Sequence, residues 1–190
     1  SIDFNTYKFS WEYRGILNVS TNYYATNLVY DDMGRCILLG AIEGFEGAVG
    51  WNGAGALPRE LRLSEDGRRL EQRVIPEIEG LRRRAEPLEA AGAVTKSGTF
   101  ELAAALPAGA EASLSLFYGE TPFEIAFRDG KLSAGGYEIP FSGSLRVFMD
   151  KTVLELFADE RETLSLVVPV CTGGCRIEAA GDFERLWLWE

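Results

Sequence analysis

Histidine is missing from the 190 residues, and cysteine is scarce, with three residues. Histidine is the commonest general base and metal ligand near neutral pH, so its absence excludes Ser-His-Asp and Cys-His catalysis. The sequence also lacks an apolar run of the roughly eighteen residues that a membrane-spanning helix needs. We therefore predict no cofactor, no metal and no transmembrane helix.

Basic residues are outnumbered, with 19 lysines and arginines against 29 aspartates and glutamates, for a formal charge of -10. This balance repels phosphate backbones and anionic lipid head groups, so we expect neither nucleic acid nor a membrane as partner. The first residues include polar Asp3 and Asn5, which differ from the basic and then apolar pattern of a signal peptide. The compartment, cytoplasmic or secreted, stays open.

Two of the cysteines, Cys171 and Cys175, lie close together in the stretch Cys-Thr-Gly-Gly-Cys, where the glycines indicate a hairpin turn. The pattern favours reduced, half-buried thiols. A cross-strand disulfide is the second interpretation, and a metal site, which would need two more ligands, is the third.

Short segments of alternating apolar and polar residues run through the chain, each ended by Gly, Pro, Asn or Asp. This pattern predicts an all-β protein. Nine such segments between residues 98 and 189 predict an antiparallel two-sheet β-sandwich of the concanavalin or lectin-like kind over residues 92–190. In one of them Leu145, Val147 and Met149 share a face, which we expect to point into the core.

The first part, residues 1–76, contains four candidate strands, which we expect to form a meander. Such a sheet is too small to bury its own core, and a partial β-propeller blade that packs against neighbouring blades fits it better. Residues 77–91 are charged and arginine-rich, with Ile78 and Leu81 spaced for an amphipathic turn, and we interpret them as a linker. The candidate strands cover residues 7–13, 23–30, 36–42 and 59–63.

Four motifs in the first part follow one another in a fixed order. They are Asn-Tyr-Tyr-Ala-Thr (22–26), Asp-Met-Gly-Arg-Cys-Ile-Leu-Leu-Gly (32–40), Gly-Trp-Asn-Gly (50–53) and Leu-Pro-Arg-Glu-Leu (57–61). Together they resemble the last propeller blade of family 32 glycoside hydrolases, the invertase, levanase and inulinase type of β-fructofuranosidase. Residues 145–158 and 167–169 similarly resemble the strand pair that closes the C-terminal β-sandwich of that family.

The resemblance implies that this chain is the C-terminal region of an enzyme that hydrolyses sucrose or fructans. The family uses two carboxylates on a retaining path, about 5 to 5.5 Å apart. They come from earlier blades, in stretches such as Trp-x-Asn-Asp-Pro-Asn-Gly, Arg-Asp-Pro and Glu-Cys that do not occur here. We therefore expect this chain to be inactive alone, with upstream blades of the same protein and, through the complete enzyme, a fructosyl carbohydrate as partners.

One departure from the family pattern concerns Ala41, which follows Gly40 where the family usually has a tryptophan that walls the sugar pocket. Its absence changes what this blade contributes to the pocket. We choose Tyr24 as the residue that reaches the fructose, since the matching Phe-Tyr-Ala stretch lies at the inner end of the family's blade.

Two acids, Asp150 and Glu155, flank a predicted tight turn and invite interpretation as a catalytic pair. A structural role is the stronger interpretation, with Asp150 in the hairpin turn and Glu155 neutralised by Arg146 or Arg161. Structural roles are also expected for Trp51, in the core or a blade contact, and for an ion pair between Arg59 and Glu60 that holds the blade to the sandwich.

Two other function classes remain open from the sequence. A lectin-like sandwich would bind a glycan through exposed aromatic residues, although we expect Trp187 and Trp189 in the last strand to be core or sheet cover. A protein-interaction domain would use the uncovered face of the first sheet to pair with a partner or a second copy.

Overall fold

The structure, a computed structural model, describes residues 2–11, 14–47, 50–88, 92–118 and 122–190. It is built almost entirely of antiparallel strands, as predicted, and no helix in the described part is long and apolar enough to cross a membrane. The strands form a two-stranded ribbon, one five-stranded sheet and two six-stranded sheets.

The first part of the chain holds the ribbon and the five-stranded sheet, called the first sheet from here on. The ribbon pairs β1 with β2, and the first sheet has the order β3-β4-β6-β7, with β5 paired to β4. The bounds are β1 (Ile2–Asp3), β2 (Lys8–Phe9), β3 (Tyr23–Tyr30), β4 (Cys36–Ile42), β5 (Ala54–Gly55), β6 (Arg59–Leu63) and β7 (Leu70–Val74).

The turn between β3 and β4 shows how the local sequence builds this sheet. Gly34 closes it with a φ of 77°, a conformation that glycine adopts without strain. The Asp31 carboxylate accepts hydrogen bonds from the backbone N–H groups of Met33 and Arg35 at 3.0 and 2.8 Å, as turn aspartates do.

One expectation about the first sheet is wrong. Residues 7–13 do not form a strand of it, because only Lys8–Phe9 is extended and it pairs with Ile2–Asp3; residues 12 and 13 lie outside the described residues. The fourth strand is instead β7, which pairs with β6. Its inward-facing Gln72 is polar, so the apolar alternation that identifies a half-buried strand is weak there.

The segment predicted as a linker contains regular structure. A 3₁₀ helix spans Pro76–Leu81, and β8 (Ala85–Pro87) pairs with the last strand of the chain. The end of the predicted linker, residues 89–91, lies outside the described residues.

Two six-stranded sheets form the β-sandwich that the sequence predicts. One has the order β17-β16-β15-β10-β19-β8 and the other β14-β13-β12-β11-β18-β9. The remaining bounds are β9 (Ala93–Val94), β10 (Thr99–Ala105), β11 (Ala112–Phe117), β12 (Phe123–Arg128), β13 (Lys131–Ala134), β14 (Tyr137–Pro140), β15 (Ser144–Asp150), β16 (Val153–Ala158), β17 (Glu162–Val167), β18 (Arg176–Gly181) and β19 (Arg185–Trp189).

The main hydrophobic core lies between these two sheets and takes alternate residues from their strands. Leu145, Val147 and Met149 are all buried in it, which confirms the predicted inward face of β15. Cys171 and Cys175 are free, buried thiols of the same core. Burial raises the pKa of Cys171, and it raises the pKa of Cys175 to about 12.

The first sheet lies against the outer face of the β16–β17 end of the sandwich. A small apolar cluster joins them, formed by Ile42, Phe45, Ala56 and Val153. Because Val153 belongs to β16 and the other three to the first part, this cluster is continuous across the junction.

Candidate site at the junction of the first sheet and the sandwich

The buried ion pair between Arg59 and Glu155 is the centre of the junction. Arg59 Nη2 lies 2.9 Å from Glu155 Oε2, and the two residues are 0% and 2% exposed. Arg59 comes from β6 of the first sheet and Glu155 from β16 of the sandwich, so this contact joins the two parts of the chain directly.

Strand register explains why these two side chains meet. Arg59 pairs with Leu38 and Val74 in the first sheet, on the face that lies against the sandwich. Glu155 pairs with Ser165 and Phe148 on the outer face of the sandwich sheet. Side chains on directly paired residues share a face, so packing the two faces together places the arginine over the carboxylate.

Neutral polar groups also accept hydrogen bonds from the guanidinium. Arg59 donates to Thr163 Oγ1 at 2.9 Å, to Ser165 Oγ at 2.8 Å and to Gln72 Oε1 at 3.2 Å. The other Glu155 oxygen, Oε1, accepts the backbone N–H of Leu57 at 2.7 Å. A buried ion pair needs such additional hydrogen bonds to offset its desolvation.

Two aromatic rings enclose the same guanidinium. Arg59 Cζ lies 4.1 Å from the centroid of the Tyr23 ring and 5.1 Å from that of Phe157. Burial raises the pKa of Tyr23, an effect that the positive charge of Arg59 opposes and the negative charge of Glu155 reinforces. The ring of Tyr23 also packs on Gly40, where any Cβ atom would overlap it.

The predicted partners of Glu155 are wrong. Arg146 instead donates from Nε to Glu101 at 2.8 Å, and the carbonyl of Arg161 accepts a hydrogen bond from Gln72. The shared face of Val153, Glu155 and Phe157 is the one that the first sheet covers, so the cation comes from the first sheet.

The predicted pair between Arg59 and Glu60 does not form either. Consecutive residues of a strand point to opposite faces, so Glu60 points away from the sandwich and accepts a hydrogen bond from Arg62 Nε at 2.8 Å. Arg59 alone of the two holds the first sheet to the sandwich.

Asp150 is exposed at the β15–β16 turn, where its carboxylate accepts a hydrogen bond from Thr99 Oγ1 at 3.1 Å. It lines the same cavity as Glu155, a space of about 240 Å³ between the 3₁₀ helix and the sandwich sheet. Both oxygens of Glu155 already accept hydrogen bonds, and one of them faces Arg59. With both oxygens occupied by partners within the chain, the carboxylate suits a structural role better than proton transfer.

Tyr24 and Trp51 are exposed, at 58% and 51%, so of the two places expected for Trp51 the core is excluded and a blade contact stays a prediction. Trp51 contacts Phe45 edge-on, with ring centroids 4.7 Å apart. Tyr24 pairs directly with Ala41 across β3 and β4. Ala41, at the position where the resemblance to family 32 leads one to expect a tryptophan, therefore lies beside the residue predicted to reach the sugar.

The junction also contains residues that the sequence reasoning missed, namely Gln72, Thr163, Ser165 and Asn18. Thr163 and Ser165 alternate with buried Leu164 and Leu166, and this period-two pattern was a usable signal that polar residues share one covered face. Asn18, whose Oδ1 is 3.3 Å from the Arg59 guanidinium, lies outside any strand and offered no such signal.

No protein-family model and no curated protein matches the sequence. Solved structures do match. A GH32 β-fructofuranosidase from Bombyx mori aligns with a TM-score of 0.75 at 20% identity, over 99% of this chain and 44% of that one. Sucrose-6-phosphate hydrolase from Lactobacillus gasseri aligns with a TM-score of 0.80 at 19% identity, over 100% and 46%.

A third structure, a family 32 glycoside hydrolase from Bifidobacterium adolescentis, aligns with a TM-score of 0.72 at 24% identity, over 91% of this chain and 32% of that one. The chain thus spans less than half the length of the solved chains that it matches. Across that span, it has the fold of family 32 glycoside hydrolases, as the sequence motifs predict.

Proposed function

We propose that this chain is the C-terminal structural region of a glycoside hydrolase that acts on sucrose or fructans. In this proposal residues 1–76 form the last propeller blade, residues 77–91 the linker and residues 92–190 the β-sandwich. One observation carries it: the first sheet and the sandwich align together, over 99% of this chain, with 44% of the length of a β-fructofuranosidase.

The solved neighbours support the substrate class of this proposal. One is the Bombyx mori β-fructofuranosidase in complex with sucrose, and another is fructan 1-exohydrolase IIa from Cichorium intybus in complex with 1-kestose. Hydrolysis of a fructosyl bond with retention needs a nucleophile and an acid/base carboxyl group. We assign both to a part of the enzyme outside this chain, since Glu155 is bound by Arg59 and Asp150 lies at a turn.

The role of this chain is then to hold the last blade in place. Arg59 and Glu155 fix the orientation of the first sheet on the sandwich, and β3 extends from that anchored sheet with Tyr24 near its start. A substrate-binding side chain on an anchored element keeps its position, which favours catalysis at a pocket built elsewhere.

Fructose release tests the proposal. The purified chain, incubated for hours at high concentration with sucrose, inulin and levan, should release no fructose, whereas a complete β-fructofuranosidase assayed alongside should release it. Release that survives a mock purification and disappears in Glu155→Gln would overturn the assignment of the carboxylates.

A complete enzyme that contains this region provides the positive test. In an enzyme that carries this region, Tyr24→Ala should raise KM for sucrose, while Glu155→Ala should lower Tm and leave the pH profile of hydrolysis unchanged. A longer protein without fructosyl hydrolase activity would contradict the proposal as a whole.

An interaction domain remains the second candidate, because β3 is exposed along almost its whole length. Among the described residues its outer edge pairs with no other strand. In the leading proposal a preceding blade covers this region, and in the alternative a partner chain does.

A further inference from the structure

The outer face of the β17-β16-β15-β10-β19-β8 sheet is only partly covered by the first sheet. At its other end, β19 alternates buried Leu186 and Leu188 with outward-facing Trp187 and Trp189. The two indole rings are nearly parallel, with centroids 6.2 Å apart and planes inclined by 23°. Neither is a core residue, and both lie on the outer face of the sheet.

A buried carboxylate holds this tryptophan row in place. Glu101 accepts hydrogen bonds from Arg82 Nε and Nη2 at 2.8 and 2.7 Å and another from Arg146. The Arg82 guanidinium in turn lies 4.2 Å from the centroid of the Trp189 ring. The order Glu101, Arg82, Trp189, Trp187 is thus a preorganised stack, and Trp187, 39% exposed, forms its open end.

Small side chains beside the row leave space for a ligand. Ala103 pairs with Trp187 and Ala85 with Trp189, and together with their neighbours they form a shallow groove of about 480 Å³. Binding sites for small ligands are typically about 300 to 1,000 Å³. Arg146 and Arg185 line the groove, and the Arg146 guanidinium is already held there by Glu101.

We propose that the groove beside Trp187 binds a neutral carbohydrate chain, as a site separate from any catalytic pocket. The indole face offers an apolar surface to the C–H groups of a sugar ring, while Arg185 at the rim donates to its hydroxyl oxygens. The positive charge of Arg185 opposes cationic ligands, and the net charge of -10 repels anionic polymers. A neutral polyhydroxylated ligand has apolar C–H groups for the indole, hydroxyl oxygens for the arginine and no net charge, so it fits the groove on all three counts.

Affinity electrophoresis of the purified chain tests this site. Native gels containing soluble inulin, levan or dextran should retard the chain in at least one of the three, and titration with that glycan should change tryptophan fluorescence. Trp187→Ala should weaken binding about tenfold or more, as expected for truncation of a central aromatic anchor.

Two control variants make the result specific. Trp51→Ala removes another exposed tryptophan, in the first part of the chain, and should bind like the wild type. Ala103→Glu keeps both indoles and places a carboxylate in the groove, so it should abolish binding even where Trp187→Ala fails to fold.

The proposal is overturned if no glycan retards the chain, or if Ala103→Glu binds as the wild type does. It is also overturned if these variants only convert a dimer to a monomer in sedimentation, because the groove would then be a contact between copies. Since the site does not depend on hydrolysis, binding without fructose release supports it, whereas an absence of both binding and fructose release overturns this proposal and leaves the proposed function standing.

Discussion

At the residue scale, Arg59 is the residue on which the junction most depends. Its guanidinium is fully buried, interacts with a carboxylate, two hydroxyl groups and two amide oxygens, and lies over the Tyr23 ring. These partners together stabilise the buried charge. Removing one partner leaves an uncompensated charge away from water.

Glu155→Ala should therefore lower the free energy of unfolding by about 3 to 5 kcal/mol, the usual cost of breaking a buried ion pair. Urea denaturation followed by circular dichroism measures it. The matched control is Lys131→Ala, which breaks the exposed contact with Glu138 and should hardly change the urea midpoint. Equal effects of the two variants would show that the junction does not depend on the Arg59–Glu155 pair.

At the element scale, the β3–β4 turn is linked to the 3₁₀ helix through Arg35. Its Nε lies 2.6 Å from Asp31 Oδ2, and its Nη2 lies 2.6 Å from Glu77 Oε1. Hydrogen bonds from Arg35 lower the pKa of Asp31 and of Glu77 below their ordinary values of 3.8 and 4.5.

These shifts predict how acid affects stability. Carboxylates with a lowered pKa bind protons more weakly in the folded state, so their contribution is complete above the ordinary values and is lost as the pH falls below them. Arg35→Ala should thus have a lower urea midpoint than the wild type at pH 7, and the difference should shrink towards pH 3. A difference that does not vary with pH, measured at low salt, would contradict this account.

At the scale of the whole molecule, the two edges of the first sheet differ. The β7 edge is held by a hydrogen bond from the backbone N–H of Gln72 to the carbonyl of Glu160, 2.6 Å away. The β3 edge is exposed and carries apolar side chains such as Val29 and Tyr30. Such an edge is a template for pairing with another chain.

We expect the isolated chain to self-associate through β3. Its average mass in sedimentation should rise with concentration, and Val29→Lys should return it towards the 20.9 kDa of the monomer, because a charge on an edge strand opposes pairing. Val94→Lys, on the short edge strand β9 of the sandwich, is the matched control and should leave association unchanged. If both substitutions reduced the average mass equally, the added charge would act on solubility in general, and pairing through β3 would be ruled out as the cause.

Sequence alone determined the all-β class, most strands of the sandwich and the inward face of β15, because alternation with a period of two is a local property of each strand. The motifs around residues 22–61 also predicted the family 32 fold that the solved structures share. These features need no knowledge of which strands are neighbours.

Tertiary structure alone decided the partners of the charged residues. Arg59 and Glu155 are 96 positions apart and meet only because two sheets pack with a particular register. The fourth strand of the first sheet, the addition of β8 to the sandwich and the outward stack of Trp187 and Trp189 have the same origin. Long-range packing selects one partner among several arginines or acids of similar local pattern, and no local periodicity distinguishes them.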